Sequence, residues 1–283
     1  MREFPASTVV GFSRKLNRND DSFGGDLVEQ PAAFEAALRF VRPDYIFHLA
    51  GSTGEGEWNT LFRDNVQTTQ NVLASVASVH PTARVVLPGS AAEYGVRDKS
   101  DILIKEDASL CPGNAYGVTK MFQTLLSCYY ARCGVDVVVG RIFNVIGVGL
   151  PKSSAIGTFT LQLLEARRQK GVAEIRVGNL HAQRDFVDVE DVCRALFQLA
   201  EKGRKGEVYN ICSGRAVRMS DVLQLMIQQS GLEVKVVGER GRFCVNDIPR
   251  SVGSGEKIFS ETGWKPRVCL DDAIARLFSG KEP

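Results

Sequence analysis

The sequence has few of the features that mark metal-binding, secreted or membrane proteins. It contains only three histidines, and its seven cysteines, an odd number, never form a CxxC pair. This pattern argues against a zinc site or a disulfide scaffold and favours reduced thiols in the cytoplasm. No stretch approaches the roughly 18 apolar residues of a membrane span, and the opening MREFPASTVVGFSRK lacks the apolar core of a secretory signal. We therefore expect a cytoplasmic protein with no metal and no membrane contact.

The charge is nearly balanced, with 35 basic and 33 acidic side chains and a formal net charge of +2. These charges are mixed along the chain, so no basic face for nucleic acid is indicated. With 283 residues, 44% of them apolar, the chain is long enough to bury one large core or two smaller ones.

Short apolar runs alternate with segments of helical period. The runs that we interpret as strands are STVVGF (7–12), YIFHLA (45–50), ARVVLPGS (83–90) and VDVVVGRIFNV (135–145), and the helical segments between them are 32–41, 59–78 and 115–132. The rhythm loosens after Gly147, with helices near 156–169 and 219–230 and strands at EIRVG and VYNIC. Strands that are apolar throughout, alternating with helices, indicate a parallel sheet covered on both faces.

Three polar residues stand where chemistry is possible. Tyr116 and Lys120 are four apart on a predicted helix and share a face, and an ammonium beside a phenol lowers its pKa and suits it to proton transfer. Ser90 ends a predicted strand, and carboxyl ends of parallel strands converge on the ligand crevice. The alternatives are a surface Tyr–Lys pair and a serine that caps a turn.

The order of short motifs along the chain is a second signal of function. Eight of them follow one another: HLAG (48–51), Asn65, GSAAEYG (89–95), YGVTK (116–120), RIFN (141–144), RDFVDVEDV (184–192), VYNICSG (208–214) and TGWKP (262–266). In that order they resemble the extended short-chain dehydrogenase/reductases that act on nucleotide sugars. The resemblance implies a Rossmann-like, doubly wound parallel sheet with a smaller C-terminal α/β substrate domain.

The resemblance also implies roles for individual residues. Ser90, Tyr116 and Lys120 would be the catalytic triad, with Lys120 also holding the nicotinamide ribose. The other residues implied to contact the cofactor are Leu27, Leu49, Ala50, Gly51, Asn65 and Phe143. The residues implied to contact the substrate are Glu93, Asn144, Arg184 and Arg242.

The glycines of LAGSTGEG do not fit the family's phosphate-binding loop. That loop joins the first strand to the first helix, whereas HLAG resembles the end of the fourth strand. STVVGFSR resembles the second strand, so the sequence begins about 25–30 residues late for a complete βαβ unit. The pyrophosphate would then lack its helix N-terminus. A shortened chain and a real departure from the family both remain open.

The residues after the second strand indicate the cofactor. Ser13, Arg14 and Lys15 follow it with no acidic residue, which favours NADP(H) over NAD because an arginine accommodates the 2′-phosphate. The alternative is that these are solvated loop charges. Asp26 fits the family's acidic residue near the adenine, or it caps a turn.

The residues between Ser90 and Tyr94 indicate the reaction. The family's 4,6-dehydratases carry a glutamate where this chain has Ala92, so dehydration is disfavoured. The spacing S-x-x-E-Y-G is most similar to reductases of GDP-4-keto-6-deoxymannose, which implies NADPH-dependent reduction of the C4 ketone of a nucleotide-linked 4-keto-6-deoxy sugar. A 4-epimerase and a non-catalytic nucleotide-sugar-binding protein are the alternatives. Two departures count against the resemblance to these reductases. Cys244 and Val245 stand where that group tends to have an arginine, and Ser254 stands where it usually has an aspartate.

The resemblance divides the chain into a dinucleotide-binding domain, 1–150 with 183–215 interleaved, and a nucleotide-sugar-binding domain, 151–182 and 216–283. It also implies a homodimer formed by the helices at 59–78 and 115–132. These helices carry apolar residues beyond one stripe: Phe122, Leu125, Leu126 and Tyr129. Burial within one chain is the alternative explanation.

Overall fold

The computed structural model describes residues 7–15, 22–53, 56–96, 102–152, 154–168, 173–239 and 248–279. In its first half, strands β1 (Gly11–Ser13) and β2 (Ser22–Gly24) precede α1 (Pro31–Val41) and β3 (Tyr45–Phe47). A continuous helical stretch follows, made of α2 (Trp58–Leu61), a π-helical turn (Phe62–Gln67) and α3 (Thr68–Val79). Then come β4 (Arg84–Ser90), a 3-10 turn (Ala91–Glu93), α4 (Ala115–Arg132), β5 (Asp136–Ile142) and β6 (Asn144–Ile146).

The second half contains shorter strands among helices. Its elements are α5 (Ala155–Arg168), β7 (Ala173–Val177), β8 (Gln183–Arg184), β9 (Phe186–Asp188), α6 (Val189–Lys202), β10 (Val208–Ile211), β11 (Val217–Arg218), α7 (Met219–Ser230), β12 (Val234–Gly238), β13 (Arg250–Ser251), α8 (Glu256–Thr262) and α9 (Leu270–Phe278).

The main sheet has four parallel strands in the order β10-β5-β4-β3. Alternate residues of its central strands face opposite helical layers, as the period of two requires. Val85 and Val137 pack on one side with residues of α1 and α3, while Val86 and Val138 pack on the other with residues of α6. Helices thus cover both faces of a parallel sheet, as the apolar strands predict.

Strands β1 and β2 form a separate parallel pair. Within the described residues, β1 pairs only with β2 and β3 only with β4. The predicted strand at 7–12 is therefore wrong in its bounds: residues 7–10 form no strand, because a strand needs a neighbour to accept and donate its backbone hydrogen bonds. Likewise YIFHLA is not buried on all sides, since Leu49 is 69% exposed beyond the end of β3.

A further apolar cluster joins the helices and short strands of the C-terminal half. Its buried members include Ile156, Phe159 and Leu163 of α5, Val222 and Met226 of α7, and Ile274 of α9. The parallel pair β12-β7 and the three-stranded sheet β11-β8-β13 belong to this half. The division into a cofactor domain and a sugar domain stays a prediction.

Candidate active site

The site lies where β4 ends and α4 begins. The Asn114 side-chain oxygen accepts a hydrogen bond from the Gly117 N–H at 2.8 Å and so caps the first turn of α4. A Cβ at Gly117 would lie 2.5 Å from the Ala92 carbonyl oxygen. The absence of a side chain therefore allows the first turn of α4 to rest directly on the turn that follows Ser90. This contact brings Tyr116 beside Ser90.

Tyr116 lies near Ser90, and the pKa of its phenol reflects this setting. Burial raises that pKa, the nearby Ser90 side chain lowers it, and the charge of Glu93 raises it. The expected lowering of this pKa by the Lys120 ammonium is not seen, since the net shift is upward and burial is its largest cause. The phenol is thus held in its protonated form, which is the form that can donate a proton.

Lys120 points back from α4 to the strand that carries Ser90. Its Nζ donates to the Pro88 carbonyl oxygen at 2.7 Å, and burial lowers its pKa to about 8, opposed by the negative charge of Glu93. An ammonium has three donors, and the described part of the chain supplies one acceptor. The remaining donors suit a ribose hydroxyl, which is the role that the resemblance implies.

Glu93 has no exposed surface, so the expectation that it contacts substrate does not agree with its position. Its carboxylate pairs with Arg141, with 2.8 Å between Oε2 and Nε. The one-residue offset from the dehydratase glutamate turns the side chain into the protein rather than towards a ligand.

A buried polar layer under the site was not anticipated. His48 Nε2 lies 3.2 Å from Thr69 Oγ1, and burial, followed by the charge of Lys120, lowers the pKa of His48 to about 4. Gln123 also donates to Thr69 Oγ1. The neutral imidazole therefore belongs to a fixed hydrogen-bond layer between β3, α3 and α4. A histidine inside an apolar run was the available sequence signal.

Asn65, expected to contact the cofactor, is buried beneath the loop after β3. Its Oδ1 accepts from the Ser52 N–H at 2.9 Å, and its Nδ2 donates to Ser52 O and to Thr119 Oγ1 at 3.1 and 3.0 Å. A Cβ at Gly51 would lie 2.7 Å from that Oδ1. Asn65 thus supports the loop, while Leu49, Ala50 and Gly51 themselves are exposed at the sheet edge.

The cofactor-side residues near β1 divide into two kinds. Ser13, the last residue of β1, and Arg14 after it are exposed, where a ligand can reach them. Asp26 accepts from the Val28 N–H at 2.8 Å and pairs with Arg63 at 2.9 Å, so it caps a turn. These contacts hold its pKa below the usual value, the backbone bonds foremost. Leu27 packs into the core under α1 and α3.

Phe143, an expected cofactor contact, follows β5, while the expected substrate contacts Asn144 and Arg184 begin β6 and end β8. Phe143 is buried against Tyr94 and Cys212. The Asn144 Nδ2 donates to the Asp185 carbonyl oxygen at 3.0 Å, and the Arg184 guanidinium donates to the Ile248 carbonyl oxygen at 2.6 Å. Arg242, Cys244 and Val245 lie outside the described residues. Apart from that of Glu93, the substrate and cofactor roles drawn from the resemblance stay predictions.

The glycine-rich stretch GSTGEG (51–56) follows β3 and precedes α2, and its residues 54 and 55 lie outside the described residues. Helix α1 begins at Pro31 after Gln30, without a side-chain cap. That GSTGEG is not the phosphate-binding loop stays a prediction.

Across the described residues, the helices are too short or too polar to cross a bilayer. The same residues bring together no group of three His, Cys, Asp or Glu side chains able to hold a metal ion.

Comparison with known proteins gives consistent results. The chain is 29% identical over 248 residues to a GDP-6-deoxy-D-mannose reductase of Pseudomonas aeruginosa, covering 85% of this chain and 81% of that protein. It is 28% identical over 254 residues to a GDP-6-deoxy-D-talose 4-dehydrogenase of Aggregatibacter actinomycetemcomitans, with coverage of 87% and 84%.

Among solved structures, the fold matches that of RMD from Pseudomonas aeruginosa complexed with NADPH, with a TM-score of 0.85, 24% identity and coverage of 96% and 98%. This match confirms the Rossmann-like α/β fold with parallel sheets. The model of the NAD dependent epimerase/dehydratase family matches residues 5–212. The chain therefore belongs to the NAD dependent epimerase/dehydratase family.

Proposed function

We propose that the chain reduces the C4 ketone of a nucleotide-linked 4-keto-6-deoxy sugar, with a GDP-linked substrate favoured, at the expense of NADPH. The observation that carries the proposal is that Tyr116 lies beside Ser90, with the buried Lys120 one turn further along α4. The names of two relatives support it, since both act on GDP-linked 6-deoxy sugars and one acts at position 4. Ala92 in place of a carboxylate disfavours dehydration.

Ser90, Tyr116 and Lys120 have different roles in the proposed reduction. Bound NADPH would supply the hydride that reaches C4. The Ser90 hydroxyl donates a hydrogen bond to the ketone oxygen and fixes its position. Tyr116 gives its phenolic proton to the alkoxide that develops on that oxygen, so a hydride and a proton together convert the ketone to an alcohol. The Lys120 ammonium stabilises the resulting phenolate and relays a proton from solvent to it, which restores the phenol.

The described residues fit the nicotinamide end and the adenine end of the cofactor. At the first, Lys120 has donors for a ribose. At the second, Arg14 is exposed at the carboxyl end of β1, and a guanidinium matches phosphate oxygens. A solved structure with the same fold is complexed with NADPH, which supports NADPH over NADH.

Helices α2 and α4 share an exposed apolar surface, formed by Trp58 of α2 and by Phe122, Leu125 and Tyr129 of α4. The rings of Trp58, Phe62 and Phe122 follow one another, with centroids 6.0 and 6.4 Å apart. Exposed apolar patches of this kind mark interaction sites. We propose that this surface pairs with its copy in a second chain to form a homodimer.

The first prediction concerns Tyr116. Purified protein given NADPH and GDP-4-keto-6-deoxymannose should lose absorbance at the nicotinamide band, and Tyr116→Phe should lower kcat by about 10²–10⁴-fold because the proton donor is absent. NADPH affinity, measured by fluorescence titration, should stay near that of the unmodified protein. Unchanged kcat in Tyr116→Phe would contradict the mechanism, and failure of the unmodified protein to oxidise NADPH would contradict the proposed reaction.

The second prediction concerns the stability of the buried ammonium. Because burial lowers the pKa of Lys120 to about 8, folding below that pH buries a charge, and the penalty fades as pH rises from 8 towards the ordinary lysine value. Lys120→Met should therefore stabilise the protein at pH 7 by about 2 kcal/mol, or roughly 5 °C in Tm, while abolishing activity.

Thermal unfolding at pH 7 and pH 9.5 measures this effect, and the gain should shrink at the higher pH. Lys205→Met is the matched control, since Lys205 is exposed and its Nζ also donates to a backbone carbonyl, that of Gly134. We expect its Tm to change little at either pH. A Lys120→Met protein that is less stable at pH 7, or a gain independent of pH, would refute the cost assigned to this charge.

The third prediction concerns cofactor choice. Arg14→Ala should raise the Kd for NADPH about tenfold, the loss of one charge-assisted hydrogen bond, and leave the Kd for NADH unchanged. Fluorescence titration with both cofactors measures the two constants. Arg39→Ala, which removes an exposed arginine of α1, is the control and should alter neither. Equal weakening of both cofactors would count against a 2′-phosphate contact.

The fourth prediction concerns the dimer. Leu125→Glu places a charge on a residue that is 52% exposed at the centre of the proposed interface and should convert the protein to a monomer in light scattering. Phe259→Glu, on α8 and 55% exposed, is the control and should leave the dimer intact. A monomeric unmodified protein, or a Leu125→Glu dimer, would show that α4 is not the interface.

A further inference from the structure

We propose that Glu93 is a positioning residue for the catalytic turn, holding Ser90 at a fixed distance from helix α4 through contacts with β5 and α4. The inference rests on the proposed function for its catalytic consequence, but the geometry stands by itself. Glu93 touches neither Tyr116 nor Lys120 through a hydrogen bond; it acts through the backbone of Ser90.

The first contact is with Ser90 itself. Glu93 Oε1 accepts the Ser90 backbone N–H at 2.9 Å, and the Ser90 hydroxyl accepts the Ala92 N–H at 3.2 Å. Together they form a capping box around the 3-10 turn. A Cβ at Gly89 would lie 2.8 Å from Oε1, so the glycine before Ser90 provides the space that the carboxylate occupies.

The second contact joins this turn to α4. The Thr124 hydroxyl donates to Glu93 Oε2 at 2.8 Å, and Thr124 lies four residues after Lys120 on the same helix. The carboxylate therefore bridges the backbone of Ser90 and the helix that carries Tyr116 and Lys120. Any shift of the helix relative to β4 must break or stretch one of these two bonds.

The third contact anchors the carboxylate to the sheet. Arg141 of β5 donates its Nε to Oε2 at 2.8 Å, and its Nη1 lies 3.1 Å from the Tyr94 hydroxyl. That hydroxyl donates to Asn210 Oδ1 of β10 at 2.7 Å. The ion pair is buried on both sides and is held from two neighbouring strands. A buried pair with this many partners has a defined geometry, which is the property that a positioning residue needs.

The carboxylate also affects the titration of the catalytic pair. Its negative charge contributes an upward shift to the pKa of each residue. For Lys120 this shift opposes the larger lowering by burial, and for Tyr116 it adds to the raising by burial. Replacing Glu93 itself would change this charge and leave Arg141 buried without its partner. A test of positioning therefore needs a variant that breaks the bridge and keeps the ion pair.

Thr124→Val is that variant, because it removes the hydroxyl from α4 at nearly constant volume. We expect kcat to fall about tenfold through displacement of Ser90 from Tyr116, with the KM values for NADPH and sugar within twofold. We expect the Ser90 amide, whose acceptor is Glu93, to exchange its hydrogen about tenfold faster in NMR experiments. Thr124→Ser keeps a hydroxyl at this position and should restore both quantities.

Ser127→Ala is the matched control. Ser127 lies one turn further on α4, is equally buried and donates to the Gln123 carbonyl oxygen at 2.9 Å, but it does not touch Glu93. It should resemble the unmodified protein in kcat and in Ser90 exchange. Equal losses in Ser127→Ala and Thr124→Val, or normal kcat and exchange in Thr124→Val, would overturn the proposal.

The two readouts separate this inference from the proposed function. If the unmodified protein does not reduce the keto sugar, the reaction assignment fails, and the exchange rate of the Ser90 amide still decides whether Glu93 positions the turn. If the sugar is reduced and Thr124→Val shows neither effect, the positioning role alone fails.

Discussion

The close contact between the first turn of α4 and the turn after β4 governs the arrangement of the site. Gly117 lies so near the Ala92 carbonyl that any side chain there would push the helix away from the sheet. The Asn114 cap fixes where that helix starts, so Tyr116 is placed beside Ser90 and Lys120 one turn further along. Lys120 then reaches Pro88, two residues before Ser90. One strand and one helix end thus define all three positions.

This arrangement requires polar groups in places where a parallel sheet usually has apolar ones. Burying them is costly unless each finds a partner, and most do: His48 and Gln123 meet at Thr69, and Asn65 meets Thr119. Gln123 Oε1 is an exception, being buried without a partner among the described residues. The buried Lys120 ammonium adds a further cost. The buried polar layer therefore lowers the stability of the fold while it fixes the positions of the side chains around Ser90, a cost that is common where activity needs a defined geometry.

Much of the fold, and the proximity of Ser90, Tyr116 and Lys120, could be predicted because local signals determine them. The helix over 115–132 begins and ends where the periodicity predicts, since Asn114 is a strong cap. The role of Glu93 could not be predicted in the same way, because it depends on Arg141, 48 residues away. Two local signals were nevertheless present. Ser90 and Glu93 have the spacing of a capping box, and Arg141 lies within the apolar strand DVVVGRI, where an arginine needs a buried carboxylate.

The predicted bounds of β1 were wrong for a different reason. Periodicity shows that a segment can pair with another strand, but not how many neighbouring strands it has. The strand that ends at Ser90 and the strand that precedes Arg14 are held in different ways. Strand β4 is bonded to β3 and β5 on its two sides, whereas β1 is bonded to β2 and packs through Phe12 on Phe34 of α1, with ring centroids 5.2 Å apart. Ser90 thus ends a strand that is bonded on two sides, whereas Arg14, expected to select the cofactor, follows a strand that pairs with one neighbour among the described residues.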